Sequence, residues 1–259
     1  MSRNLLQNCI GLWSPSLGPS GYTLLDRSGR GNHGTLTNMN SSDWVASPGG
    51  WALDFDGIND HVPLNRQYIS AGDRFTISAW LKSGGTQNQY ACPISQGHFD
   101  FQGFAFQYGF PSATTMVFIY GLANNLLWQS LTFGYLPNSN TAWVHLVVTF
   151  NGSVLATYRD GIQQATATAT PQIGTFNFTI GRDTYNTDTN FRTWLGLIDD
   201  VGIWHRGLTA AEVWQLYNLQ RGGLGRLAIQ GPPRHAYKSA GVKTYLFINR
   251  NSIIGGGTI

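Results

Sequence analysis

Three observations predict that the 259-residue chain is all-β, a two-sheet antiparallel sandwich with one short C-terminal helix and an extended C-terminal arm. Charged residues are only 11% of the chain against 13% aromatic, and glycine occurs 32 times, a balance that suits strands and turns better than helices. Apolar and polar residues alternate with period two in one short segment after another, with turn residues between them. A single stretch, near the end of the alternating region, carries the signals of a helix start.

The segments run in order. In "WALDFD" (51–56), Trp51, Leu53 and Phe55 share one face and Asp54 and Asp56 the other. In "FTISAWLK" (75–82), Phe75, Ile77, Ala79 and Leu81 oppose Thr76, Ser78, Trp80 and Lys82, as in a half-buried strand. "AWVHLVVTF" (142–150) and "SVLATYRDGIQQATA" (153–167) continue the pattern, the second folding back at Asp160-Gly161, where positive φ is tolerated. "FNFTIG" precedes a further strand over 194–204. Thr209 then stands as an N-cap with Glu212 three residues on, flanked by the staple pair Leu208 and Val213, so a helix is expected from Ala210 to Asn218. From 219 the texture changes to glycines, Pro232-Pro233 and two short strand-like stretches near 235–239 and 243–248. That segment is too short and too polar for its own core. The expected organisation is a sandwich over 1–218 and an arm over 219–259 that packs on its own sandwich or on a neighbouring chain.

Composition narrows the function classes. Residues 219–259 hold six cations and no acid, whereas 1–218 hold ten cations against thirteen acids, so a weakly acidic body carries a basic tail. Six charges over some forty residues is dilute, no nucleic-acid motif accompanies them, and nucleic acid is not the expected partner. Twelve of the thirteen acids are Asp and Glu212 is the only Glu, which removes any mechanism built on paired glutamates. Cys9 and Cys92 read as free or buried thiols. No apolar run approaches the ~18 residues of a membrane span, and the N-terminus has no signal-peptide core, so no secretion by the general route is expected and three N-x-[ST] matches read as chance.

Among motifs, "GRGNHG" (29–34) fits G-x-G-x-x-G by letter only, because "TLTNMNSSDW" follows instead of a helix. As "DRSGRGNHGT" the same loop sets a carboxylate among closely spaced glycines, a pattern shared by ordinary turns and by oxygen cages for Ca²⁺. Asp54 and Asp56 lie ~6.5 Å apart along one strand face, a spacing open to a glycosidase pair, yet Gly57, Asn59 and Asp60 read as a turn in which Asp side chains bond to backbone. The six histidines are scattered without metal spacing. Trp80, Trp128, Trp143 and Trp204 read as core, with one or two of them open to stacking on a sugar.

Six segments, "GLWSPS…LLDRSGRGNHGTL", "WALDFDGINDHVPL", "FTISAWLKS", "AWVHLVVTFNG…ATYRDG", "FTIGRDT" and "GLIDDVGIWHRGLTAAEVWQLYN", resemble in order the strands of the laminin G-like branch of the concanavalin A-like lectin/glucanase superfamily. The resemblance implies a jelly roll over residues 10 to 218 and a structural Ca²⁺ at its rim, held by Asp26, Asn32 and Asp199. The acidic strand of the superfamily's glucanases, of E-x-D-x-x-E type, has no counterpart here, so no enzymatic activity is expected. The expected function is a non-catalytic module that contacts a glycan or protein surface. Without a leader, the expectation is a bacteriophage-type virion decoration or appendage, freed by lysis and attached to other virion subunits or to itself through 219–259. The alternatives are a polysaccharide hydrolase or lyase using Asp54 and Asp56 or Asp199 and Asp200, and a secreted calcium-dependent lectin with a Cys9–Cys92 disulfide. Strict alternation places Asp199 with Leu197, Val201 and Ile203, and Asp200 on the opposite face with Ile198 and Trp204, so the two acids are not expected to cooperate.

Overall fold

A computed structural model describes residues 5–97, 102–109, 111–122, 128–136, 142–183 and 192–220. The arm expected over 219–259 lies outside the described residues from 221 onward. The larger of two stacked antiparallel sheets has eight strands. Its order is β14 (Ile162–Thr168), β13 (Val154–Arg159), β12 (Val144–Phe150), β7 (Phe75–Ser83), β16 (Leu195–Trp204), β5 (Gly50–Asp56) and β4 (Trp44–Ser47), with β1 (Cys9–Trp13) also paired to β16. The smaller sheet runs β11 (Trp128–Tyr135), β10 (Thr115–Gly121), β9 (Phe104–Tyr108), β8 (Ile94–Gln96), β15 (Phe178–Ile180) and β6 (Val62–Pro63). A two-stranded ribbon, β2 (Thr23–Leu24) with β3 (Gly34–Thr35), holds the glycine-rich loop between its strands.

The expected alternation builds the core. Phe75, Ile77, Ala79 and Leu81 of β7 point between the sheets and meet Phe104, Phe118 and Phe178, whose rings pack edge, tilt or stack within 5.6–6.3 Å of one another or of Phe75. The opposite face of β7 is not solvated: Thr76, Ser78 and Trp80 are buried as well. The reason is helix α1 (Ala210–Gln220), which lies over that face with Leu5, Leu12, Val147, Trp204, Leu208, Val213 and Leu216 in a second apolar cluster. Expected half-burial thus becomes burial on both faces.

The helix starts as its sequence dictates. Glu212 Oε2 accepts hydrogen bonds from Thr209 N (2.9 Å) and Thr209 Oγ1 (3.0 Å), and Arg206 Nη1 reaches Glu212 Oε1 at 2.7 Å. Beneath it the sheet is polar: Ser78 Oγ lies 2.8 Å from His145 Nε2, and Trp80 Nε1 donates to Gln220 Oε1 at 3.1 Å. Cys9 and Cys92 are buried free thiols, with burial pushing Cys9 up to about 12; they are not the disulfide of the secreted-lectin alternative.

One expectation fails in β16. A bulge between Asp199 and Gly202 interrupts its register with β7, with Asp200 at φ +44°. Ile198, Val201 and Ile203 all enter the inter-sheet core, while Trp204 belongs to the cluster under the helix. Asp199, opposite Trp80, therefore does not share a face with Val201 and Ile203; the extra residue reverses the alternation that strict period two would give. Close by, Gly196 at φ +117° brings β16 so near its neighbour that a Cβ there would lie 2.3 Å from Gly84 N and 2.4 Å from Lys82 O.

Candidate functional site: a polar cleft on the rim

The glycine-rich loop is organised around Asp26. Its Oδ1 accepts from Leu12 N (3.0 Å) and Ser28 N (2.8 Å), and its Oδ2 from Ser28 Oγ and Asn32 N (both 2.9 Å). Four donors meet the ~four lone-pair directions of a carboxylate. Asn32 is equally engaged: its carbonyl accepts from Trp13 Nε1 (2.7 Å), its Oδ1 from Arg66 Nη1 (2.9 Å), and its Nδ2 donates to Ile10 O (2.9 Å). The structure thus brings Asp26 and Asn32 together but not Asp199. Asp26 bridges to Trp13, which pairs in turn with Val201, so β1 stands between the loop and β16, a separation of roughly 10 Å at two strand spacings. As arranged, these oxygens face N–H and O–H donors, and the three residues do not form one cage for a cation. Among the described residues no three His, Cys, Asp or Glu side chains converge on a metal position.

The other acids are similarly committed. Asp56 Oδ1 accepts from Ile58 N (2.7 Å) and Asn59 N (3.1 Å), and Asp60 Oδ2 accepts from Asp56 N (3.0 Å), which is the expected turn. Burial, and then the neighbouring Asp56, Asp43 and Asp54 charges, push Asp60 up to about 6; burial and Asp43 also raise Asp54. Asp199 is fully buried, its Oδ1 held by Asp200 N at 2.7 Å and its Oδ2 without a hydrogen-bond partner. Burial, aided by the Asp200 charge, drives its pKa well above the ordinary carboxylate range. At 0% exposure it presents no surface that a substrate could reach. Of the tryptophans, Trp80 and Trp204 are buried, Trp143 is half-buried, and Trp128 on the outer strand of the smaller sheet is 38% exposed.

What the fold does assemble on its rim is a cleft of about 650 Å³. The glycine-rich loop supplies Arg30 and Asn32, the segment after β6 supplies Arg66, Gln67, Tyr68, Ser70 and Asp73, and the residue after β16 supplies His205. Arg66 lies over the Tyr68 ring, 5.6 Å from its centroid. Arg30 Nε donates to Cys9 O at 3.1 Å, and His205 Nε2 to Tyr68 O at 2.7 Å. None of these residues except Asn32 is singled out by sequence. Arg30, Arg66 and His205 lie 36 and 139 positions apart along the chain, and the sole local signal is the pair of positive-φ glycines, Gly29 and Gly31, that flank Arg30.

Comparison with curated protein sequences finds no match. Among solved structures, the fold is similar to Domain 4 of AbnA, a GH43 extracellular arabinanase from Geobacillus stearothermophilus, in complex with arabinotriose, with TM-score 0.61 and 18% identity over 81% of this chain and 98% of that one. It is also similar to the receptor-binding domain of botulinum neurotoxin type G (TM-score 0.58, 21% identity, 83% of this chain) and to the binding domain of Paraclostridial Mosquitocidal Protein 1 (0.61, 14%, 83%). The chain spans about half, 52%, of each of those two toxin chains. At such identities the likeness is one of fold. The sequence profile of the concanavalin A-like lectin/glucanases superfamily matches residues 56–214, from the Asp56 turn into helix α1. Two stacked antiparallel sheets, a capped helix behind the larger one and that match together make the chain a member of the concanavalin A-like lectin/glucanases superfamily.

Proposed function

We propose that the chain is a non-catalytic binding module that contacts a glycan, or a glycan-bearing protein surface, through its rim cleft. One observation carries the reading: the cleft presents open polar donors to solvent, while Asp26, Asp56, Asp60 and Asp199 are bound to backbone donors or buried. A hydrolase needs two carboxyl groups free to face a scissile bond. Two similar folds support the reading by what they are described as, a domain in complex with arabinotriose and a receptor-binding domain. The test is a glycan array read for both retention and turnover. Retention without product supports a binding module; product release that disappears in Asp54→Asn, with folding intact, would establish the hydrolase instead.

The finer reading is a virion-associated decoration or appendage, outside the cell after lysis, in which the sandwich over 1–218 displays the cleft and the basic segment 219–259 attaches it to other subunits or to its own copies. Its support is the sequence: six cations with no acid, following directly on a completed sandwich. Removal of 220–259 should leave glycan retention intact and abolish incorporation into particles. Normal incorporation of the truncated chain would end this reading without touching the first.

A further inference from the structure

We propose that the rim cleft selects saccharides bearing a carboxylate, with the guanidinium groups of Arg30 and Arg66 as the paired contacts; this rests on the glycan reading above and names the ligand class for it. A guanidinium carries five N–H donors in a planar fork that matches a carboxylate edge to edge. Each of these two spends only one donor on the protein. Arg66 gives Nη1 to Asn32 Oδ1, and Arg30 gives Nε to Cys9 O. Neither has an ion-pair partner among the described residues, and both side chains are exposed at the cleft.

Their placement is fixed before any ligand arrives. Arg66 is held between Asn32, itself tied to Ile10 O, and the Tyr68 ring. Arg30 rides on a loop whose geometry is set by the four donors on Asp26. Ordering two long side chains in advance removes an entropic cost that an unrestrained pair of surface arginines would meet on binding.

The remaining lining separates an acid sugar from a neutral one. Neutral sugars are commonly held by stacking on an open aromatic face, and here the one Phe, Tyr or Trp among the described lining residues is taken: Tyr68 is 5% exposed, covered by Arg66, and packed against Trp13 at 5.3 Å and Phe178 at 5.8 Å. Ring hydroxyls still find partners. Gln67 and Ser70 line the cleft, and His205 stands at its edge with Nε2 donating to the Tyr68 carbonyl. Asp73 is the only acid in the lining among the described residues, and its Oδ2 already accepts from Ser70 N at 2.8 Å. A volume of about 650 Å³ is within the range of small-molecule sites.

The test is calorimetric titration of the full chain with oligogalacturonate, sialyllactose and a glucuronate disaccharide. Each is compared with its own methyl ester, which keeps the ring and hydroxyls and removes the charge, and arabinotriose and inorganic phosphate serve as further probes. At least one acid sugar should bind, its methyl ester about 10- to 100-fold more weakly, and Arg30→Ala and Arg66→Ala should each weaken the acid by a similar factor, the range expected for a charge-assisted contact. An ester that binds as tightly as its acid, arabinotriose preferred over every acid, or arginine variants without effect would overturn the carboxylate assignment and leave the glycan reading standing. Phosphate displacing the sugar at equal concentration would overturn it in favour of a simple anion site. If no saccharide of any kind binds, both readings fall.

Discussion

His145 offers a quantitative test of how the helix covers the larger sheet. It is wholly buried at the start of β12, stacked on Trp80 and Tyr217, with Nε2 on the Ser78 hydroxyl and Nδ1 unpartnered. The nearest acid in its hydrogen-bond network, Asp160, accepts from its backbone N–H and not from the ring. Burial alone pushes the imidazole from 6.5 down to about 3. The folded chain therefore keeps His145 neutral where the unfolded chain protonates it. Its stabilising contribution is fully present above pH ~6.5 and is lost as pH falls toward 3, by about 1.4 kcal/mol per pH unit. Between pH 7 and pH 5 this amounts to about 2 kcal/mol. The substitution is His145→Gln, which does not titrate and retains an amide for Ser78. Urea unfolding of both proteins at pH 7, 6 and 5 isolates the effect, since the fixed cost of the substitution cancels when the difference is followed with pH. The wild-type chain should lose about 2 kcal/mol more than the variant over that interval. Parallel stability curves would show that the ring is not a buried neutral imidazole, and that α1 does not seal this face in solution.

Three further outcomes follow from other parts of the fold. Asp26→Asn replaces an acceptor by a donor facing N–H groups and should cost about 1–3 kcal/mol, whether or not calcium is present. A melting temperature raised several degrees by millimolar calcium in the wild type alone would instead establish the ion, with the Asp26 donors turned away to admit it. Gly196→Ala should destabilise by about 3 kcal/mol or more, since φ +117° is strained for alanine and the new Cβ meets Gly84 N and Lys82 O; a change below 1 kcal/mol in chemical unfolding would contradict that close approach. Glu212→Gln should lower stability at pH 7 by about 1 kcal/mol, because the Thr209 donors and Arg206 favour the carboxylate and hold its pKa below 4.5. The loss should vanish as pH falls through that depressed value, and a loss that persists at pH 3 would refute the charged cap.

Sequence reading succeeds here wherever local chemistry decides. Asp160-Gly161 takes positive φ at both positions because those residues tolerate it, and Thr209 with Glu212 starts the helix because the capping pattern is complete within four residues. It weakens where a strand is buried on both faces. "FAFQY" and "TMVFIYG" of β9 and β10 show no polar alternation, so period two has nothing to read. The bulge at Asp200 is hidden for another reason: an L-residue sits at positive φ with no glycine to mark it. The cleft is hidden most completely, since Arg30, Arg66 and His205 come from three loops that only the packed sandwich brings to one rim.

The extra residue in β16 also fixes a phase. Were the bulge to flatten with Asp199 and Asp200 both in place, unbroken alternation would exchange the two surfaces of everything beyond it, sending Val201 and Ile203 toward the helix and the Trp204 indole between the sheets. In the middle of an eight-stranded sheet no neighbour could absorb that exchange. The stretch keeps its phase only while the bulge holds, whereas the loops around Arg30 and Arg66 can change in length and composition without disturbing the frame. A scaffold of this kind can be handed from one ligand to another by editing its margin alone.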